Sequence, residues 1–303
     1  MKGRPQISLI VATRNRCHCL IEFLTKLKEQ SQSISWELVL VDNGSTDDTW
    51  DFISLPDASR SFKLIALQEP LPGKSRALNT GIKNSSGELL VFSDDDVHPD
   101  PQWLSELANA SLRRPEAQIF GGRVRVPTNQ VPYWITNSTN LQEMLLSEHD
   151  LGAREIFYPH SRYPIGPNMA VRRSALSCYS SCWPVHLGPG TMVPLGDEQG
   201  FLRRISSWSS LDRLYVPTAI VEHIIDKEHV LFLNAFRRCF IGGLAAGYLN
   251  ALFPCPAISS IQSIKLAQLR LSTIRSLPEF ACGMSRFLGV LMGRLYGLTS
   301  TIL

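Results

Sequence analysis

Short apolar runs alternate with stretches of helical periodicity through the first 112 positions, and this alternation restricts the chain to few architectures. Ile7–Val11, Trp36–Val41, Phe62–Leu67 and Glu88–Phe92 read as strands. Between and after them, Cys19–Gln30, Thr49–Ile53, Ser75–Lys83 and Pro101–Leu112 read as helices, the last opened by a proline in its first turn. Strands and helices at this pitch predict βαβ units, hence an α/β fold with a mostly parallel sheet flanked by helices. Ligands of such sheets bind beyond the carboxyl ends of the strands. Thr13-Arg14-Asn15, Asp42-Asn43-Gly44-Ser45 and Asp94-Asp95-Asp96 all fall there.

The aspartate triplet ends the run Leu89–Phe92 and precedes Val97-His98-Pro99, which is expected to turn the chain. Crowded carboxylates repel unless a cation joins them, and Mg²⁺ or Mn²⁺ commonly bridges a carboxylate to a diphosphate. Taken alone, the triplet also suits an acidic helix cap. Alternate residues of an extended segment share a face, so Asp94 and Asp96 form the natural pair. Asp95 can replace either in that register.

Composition removes several function classes. At 44% hydrophobic and 19% charged, the 303-residue chain is suited to a packed globular core and not to extended disorder. The formal net charge of +3, with no long basic run, gives no footing for nucleic-acid binding. Seven scattered cysteines fit reduced thiols, and neither Cys17/Cys19 nor Cys178/Cys182 has the paired spacing of a structural zinc site. Met1–Pro5 leads directly into a strand without a signal-peptide apolar region, so a cytoplasmic location is expected.

Beyond Gly121-Gly122 the pattern is irregular and rich in Pro, Tyr and Trp to about Pro167, suited to a lid or acceptor-facing region. His229–Leu303 reads as helices broken near Phe253-Pro254-Cys255-Pro256 and near Pro278. Phe280–Leu303 is interrupted by Arg286 and Arg294, which suits an amphipathic surface helix better than a membrane span.

Two further segments carry chemistry. Asp42 stands at a strand tip beside Ala12-Thr13, where it could accept a hydrogen bond from a pyrimidine N3–H; for this segment alone, ordinary turn chemistry is the better explanation. Gly73-Lys74-Ser75-Arg76 opens a helix with two cations, a natural seat for a diphosphate. The spaced glycines of a Walker loop are missing.

Taken in order, Ile7–Arg16, Val41–Asp47, Gly73–Ile82 and Phe92–Asp96 resemble the inverting family 2 glycosyltransferases over roughly Pro5–His223. The resemblance implies a GT-A fold with a Rossmann-like sheet, a nucleotide-sugar donor and a divalent metal, Mn²⁺ or Mg²⁺, on the diphosphate. It implies that Ala12, Thr13, Asn15 and Asp42 line the nucleoside pocket, and that Lys74 and Arg76 lie near the base or diphosphate. Asp94 and Asp95 would stand at the ribose, and Asp96, with Asp94 and His223, at the metal. Gly166-Pro167-Asn168 resembles the acceptor-side turn that feeds a strand. Leu195-Gly196-Asp197-Glu198 resembles the block that supplies the catalytic base, with its acids reversed; alignment favours Glu198, and Asp197 is the rival. His223 ends the segment Val216–His223, and Arg237-Arg238 could close over the diphosphate.

The organisation expected is a GT-A domain over residues 1–228, with a nucleotide-binding half to about 120 and an acceptor-side half beyond, then a helical C-terminal region over 229–303. The Gln-x-x-Arg-Trp signature of processive synthases is absent from Arg203–Trp208, which favours single additions. A UDP-sugar donor and a glycan or lipid-linked acceptor are expected. A sugar nucleotidyltransferase would want a glycine-rich loop after the first strand, where this chain has Val11–Asn15. A non-catalytic nucleotide-sugar- or glycan-binding relative is the other alternative. The C-terminal helices could dock peripherally on the inner face of an anionic membrane, pack on the core, or form an oligomer.

Overall fold

Strand β1 (Ile7–Thr13) is apolar on both faces, and the computed structural model sets it inside a nine-stranded sheet. The structure describes residues 5–55, 62–127, 129, 131–159, 162–176, 182–205, 213–252 and 277–300. Cys178, Cys255, the expected break at Phe253–Pro256 and Ser206–Trp208 lie outside the described residues.

On one side β1 pairs in parallel with β2 (Trp36–Asp42), which pairs in parallel with β3 (Lys63–Gln68). On the other side it pairs in parallel with β4 (Leu89–Ser93). The remaining strands are β5 (Val97–Pro99), β6 (Ile119–Arg125), β7 (Ile156–Phe157), β8 (Met169–Arg172) and β9 (Arg213–His223). The order is β3-β2-β1-β4-β8-β6-β9-β5, with β7 also on β9. β8 runs antiparallel to both β4 and β6, whereas β6 and β9 are parallel.

Alternation along β1 divides the core. Ile7, Leu9 and Val11 join one buried cluster with Leu20, Phe23 and Leu27 of α1 (Cys17–Leu27) and Trp103 and Leu107 of α4 (Trp103–Arg113). Ile10 faces the opposite cluster, with Ala77 and Leu78 of α3 (Lys74–Lys83) and with Phe92, Trp183 and Phe201. Helix α2 (Thr49–Ser54) follows β2. Buried on both faces, β1, β2 and β4 are the continuous apolar runs of the sequence.

Two local expectations are corrected. Val97-His98-Pro99 does not turn the chain: the turn lies just before it, and these residues form β5 against β9. Gly121-Gly122 lies within β6 and does not begin an irregular stretch. A Cβ at Gly122 would lie 2.2 Å from both the Ala219 carbonyl oxygen and Asn168 Nδ2, so only glycine lets β6 pass there.

The chain divides into two compact units. The first comprises Met1–Val126, Glu148–Val185 and Phe201–Ile224, and holds the whole sheet. The second comprises Pro127–Ser147, His186–Gly200 and Ile225–Leu303. It contains α5 (Tyr133–Thr136) and α6 (Thr139–Leu146), which is capped by Ser138 Oγ accepting from Leu141 N at 3.3 Å. Two long helices follow, α8 (Phe232–Leu252) and α9 (Leu277–Ser300). Pro278 falls in the first turn of α9, where its missing N–H has no intrahelical role. Ala245 and Leu249 of α8 pack with Leu187 and Val193. Helix α7 (Asp197–Ile205) begins in this unit; from Phe201 onward it belongs to the first, where Phe201 stacks on Trp183 at 4.5 Å.

Candidate active site

The ends of β1, β2, β4 and β9, with the start of α3, carry the candidate donor-side residues of the first unit. β1 and β2 end in register at Thr13 and Asp42, and Asn43 N donates to the Thr13 carbonyl at 2.8 Å. Asp42 is buried and accepts from Ser45 N and Oγ, so its carboxylate caps its own loop. Asn15 adopts φ 53° and receives Thr46 N on its Oδ1 at 2.7 Å, tying the β1 loop to the β2 loop. Ala12 is half-buried on β1.

Asn43, to which sequence reasoning gave no role, places the phosphate-seat candidates. Its Nδ2 donates to the carbonyls of Glu69 and Leu71, and its Oδ1 accepts from Gly73 N at 2.8 Å. Those bonds fix the entry to α3, whose first turn carries Lys74 and the half-buried Arg76.

The three aspartates occupy a turn after β4 and are not extended as expected, yet Asp94 and Asp96 do meet. The partners of the three differ, with Arg16 shared by two of them. Lys74 Nζ lies 2.5 Å from Asp94 Oδ1. Thr13 Oγ1 donates to Asp95 Oδ2 at 2.6 Å. Arg16 Nη1 lies 3.1 Å from Asp95 Oδ1 and 2.5 Å from Asp96 Oδ2. Antiparallel pairing sets Val97 of β5 opposite His223 of β9, and Ile224 N donates to the Asp96 carbonyl at 2.9 Å. His223 Nε2 therefore stands 3.4 Å from Asp96 Oδ1.

The electrostatics follow from this packing. Burial pushes Asp95 up to about 6, against the downward pull of Arg16 and Thr13. Burial also acts upward on Asp96, but His223 and Arg16 outweigh it and hold that carboxyl below the usual range. Burial works against the Arg16 guanidinium, yet Asp96 and Asp95 raise it above its ordinary value. In sequence, Arg16 is only the end of the β1 motif. Its partners lie about 80 residues away, and no local pattern signals them.

Asp96 Oδ1 is buried and makes no hydrogen bond of regular geometry, its contact with His223 Nε2 being a long 3.4 Å. It belongs to a group of ligand atoms from Asp94, Asp96 and His223 that lie within 4.8 Å of one another, the one such group among the described residues. Two carboxylates and an imidazole, with one carboxylate oxygen buried and only weakly engaged, fit a hard or borderline divalent cation.

The Asn168 side chain bonds to other partners. It is fully buried in the turn Gly166–Asn168 before β8; its Nδ2 donates to the Arg123 and Ala219 carbonyls and its Oδ1 accepts from Trp103 Nε1 at 2.9 Å. Its amide is committed to joining β6, β9 and α4. Gly166 is buried in the same turn.

In the second unit, Asp197 and Glu198 open α7, as the sequence indicates. Asp197 is buried: a Cβ at Gly188 would lie 2.7 Å from its Cγ. Glu198 is half-exposed.

Residues 8–180 match the model of glycosyl transferase family 2. The chain belongs to that family. Among curated relatives, glycosyltransferase AglE of Haloferax volcanii is 31% identical over 121 residues, 40% of this chain and 40% of that protein. Dolichol-phosphate mannosyltransferase of Pyrococcus furiosus is 29% identical over 105 residues, 35% of this chain and 30% of that one. The chain spans less than half the length of these relatives. The mannosyltransferase PcManGT of Pyrobaculum calidifontis, solved with GDP-Man and Mn²⁺, superposes with a TM-score of 0.56 at 17% identity, covering 99% of this chain and 74% of its own. S. aureus TarS 1–349 with UDP-GlcNAc gives 0.55 at 16%, covering 98% and 92%. These likenesses establish the GT-A fold for this family member.

Proposed function

We propose that this glycosyltransferase moves a sugar from a nucleoside-diphosphate donor, UDP favoured, to a hydroxyl of a glycan or lipid-linked acceptor, one addition at a time and with inversion. The observation that carries the reading is the convergence of ligand atoms from Asp94, Asp96 and His223 on the buried Asp96 Oδ1. A divalent cation held by these residues, Mn²⁺ or Mg²⁺, would supply charge neutralisation for the departing diphosphate.

The chain's own groups complete the donor chemistry. Lys74 and Arg76, on the first turn of α3, add positive charge where helix N–H groups also favour an anion. Thr13, Asn15 and Asp42 shape the loops at the ends of β1 and β2, where a nucleoside would lie. The preference for uridine rests on Asp42, an acceptor for N3–H; solved neighbours hold both guanosine and uridine donors. Arg16 supplies a built-in counter-charge for Asp95 and Asp96.

Attack on the anomeric carbon requires removal of the acceptor hydroxyl proton. Glu198 is assigned as that base and Asp197 as its neighbour, because Asp197 is buried under the Gly188 loop whereas Glu198 remains accessible. One displacement inverts the anomeric centre. Single addition rests on the missing Gln-x-x-Arg-Trp sequence.

The test is a screen of nucleotide sugars with Mn²⁺, reading nucleoside diphosphate release and product formation. Asp96→Asn and Glu198→Gln are each expected to stay folded and to lose on the order of 10²-fold or more in transfer. Near-parental turnover in either variant removes that residue from its role. Pyrophosphate release from a nucleoside triphosphate would instead mark a nucleotidyltransferase.

A further inference from the structure

Helix α9 is inside-out for a helix built to be covered by its own protein. The row it buries is Cys282, Ser285, Gly289, Gly293 and Gly297. Its outward row is Met284, Leu288, Leu291, Met292 and Leu295, between 37% and 66% exposed. That spacing keeps the large apolar groups on one side of the helix.

The small row lets two backbones touch. A Cβ at Gly289 would lie 2.1 Å from the Phe240 carbonyl oxygen, and one at Gly293 would lie 2.0 Å from that of Leu244. Gly243 and Gly247 of α8 approach the Arg286 and Val290 carbonyls as closely. The contacts advance together along both helices, so α8 and α9 run parallel. Ser285 Oγ donates to the Phe236 carbonyl at 3.0 Å and extends the same register. Pairing through small residues with large apolar groups outside is the pattern helices adopt against lipid. The entry to α8 also leaves large apolar groups outside: Leu231, Phe232 and Leu233 are 58%, 48% and 76% exposed.

Charge indicates what covers this surface. Residues 229–303 contain seven Lys or Arg and a single acid, Glu279, so this quarter carries +6 while the whole chain carries only +3. A second copy would bring the same positive charge and be repelled. An anionic bilayer would attract it and also accept the apolar row. No described helix is long and apolar enough to cross a membrane, so the pair would lie on the surface.

We propose that the α8–α9 pair docks this glycosyltransferase on an anionic lipid bilayer, with the Met284–Leu295 row entering the headgroup–acyl boundary and the net positive charge of residues 229–303 drawing it to the surface. The assignment is independent of the donor chemistry. It brings the enzyme to the surface on which a lipid-linked acceptor would be presented.

The test is flotation of the full chain with vesicles of phosphatidylcholine alone or of phosphatidylcholine with phosphatidylglycerol. The protein is expected to float with the anionic vesicles and to lose about tenfold in binding when salt shortens the Debye length to a few ångströms. Leu288→Glu, Leu291→Glu and Leu295→Glu combined should abolish flotation while circular dichroism, thermal unfolding and donor hydrolysis in solution match the parent. No binding to anionic vesicles, or equal binding by the triple variant, overturns the proposal. So does a parental dimer that the triple variant converts to monomer, because that assigns the face to a second copy.

Discussion

Arg16→Gln is expected to tighten Mn²⁺ binding, although it removes a residue from the middle of the candidate site. In the protein alone Arg16 is the counter-ion of Asp95 and Asp96, 3.1 and 2.5 Å away. A cation entering beside Asp96 must overcome its repulsion. Charge centres about 4 Å apart interact by about 4 kcal/mol at an effective dielectric of about 20. The Arg16 side chain is 38% exposed, and solvent screening lowers such a pair toward the range of surface ion pairs, leaving about 1–2 kcal/mol. At about 1.4 kcal/mol per decade, this corresponds to roughly a 5- to 30-fold lower Kd for Mn²⁺. The same loss should lower the Tm of the metal-free variant by about 1.5–3 °C and enlarge the stabilisation that Mn²⁺ gives. Titration calorimetry of Mn²⁺ into donor-free protein, with thermal unfolding in parallel, reads both effects. Unchanged or weaker Mn²⁺ affinity in Arg16→Gln would refute the argument, because it would make Arg16 a scaffold for the acids instead of a competitor for their charge.

Two further predictions concern the frame around the site. Glu37 on β2 is fully buried, and although burial acts upward, Lys63, Ser86 and Ser8 lower it to about 2. With an unfolded value of about 4.3, the ionised group contributes up to roughly 3 kcal/mol above about pH 5, lost as pH falls through the folded value. Urea unfolding should therefore show parent and Glu37→Gln converging in stability between pH 5 and pH 2; parallel curves would contradict this. Gly122→Ala should destabilise by about 1–3 kcal/mol, because its methyl would meet backbone at Ala219, and chemical denaturation would read the loss.

The legible part of the fold was the part whose strands are buried on both faces. β1, β2 and β4 read as continuous apolar runs because helices cover both sides of the sheet. β5 was not legible: it is three residues long and exists through its pairing with β9. β6 was hidden by Gly121-Gly122, which resemble a loop in sequence but are needed where Tyr158 and Asn168 press on the strand. In the site, the acids announced themselves, as did His223 at the end of β9. Their pairing did not follow from strand periodicity, since Asp94–Asp96 form a turn. Arg16 and Asn43 were silent because their work depends on partners brought near only by folding.

β8 has a consequence for how the polypeptide is made. It lies antiparallel between β4 and β6, yet its four residues emerge about 80 positions after β4. Until they arrive, a nascent chain carrying β1 to β4 leaves the backbone donors and acceptors along Leu89–Phe92 open, an adhesive margin for any neighbouring strand. Stop codons between residues 120 and 165 should accordingly yield insoluble fragments, and the full chain should refold slowly because so distant a closure completes the sheet.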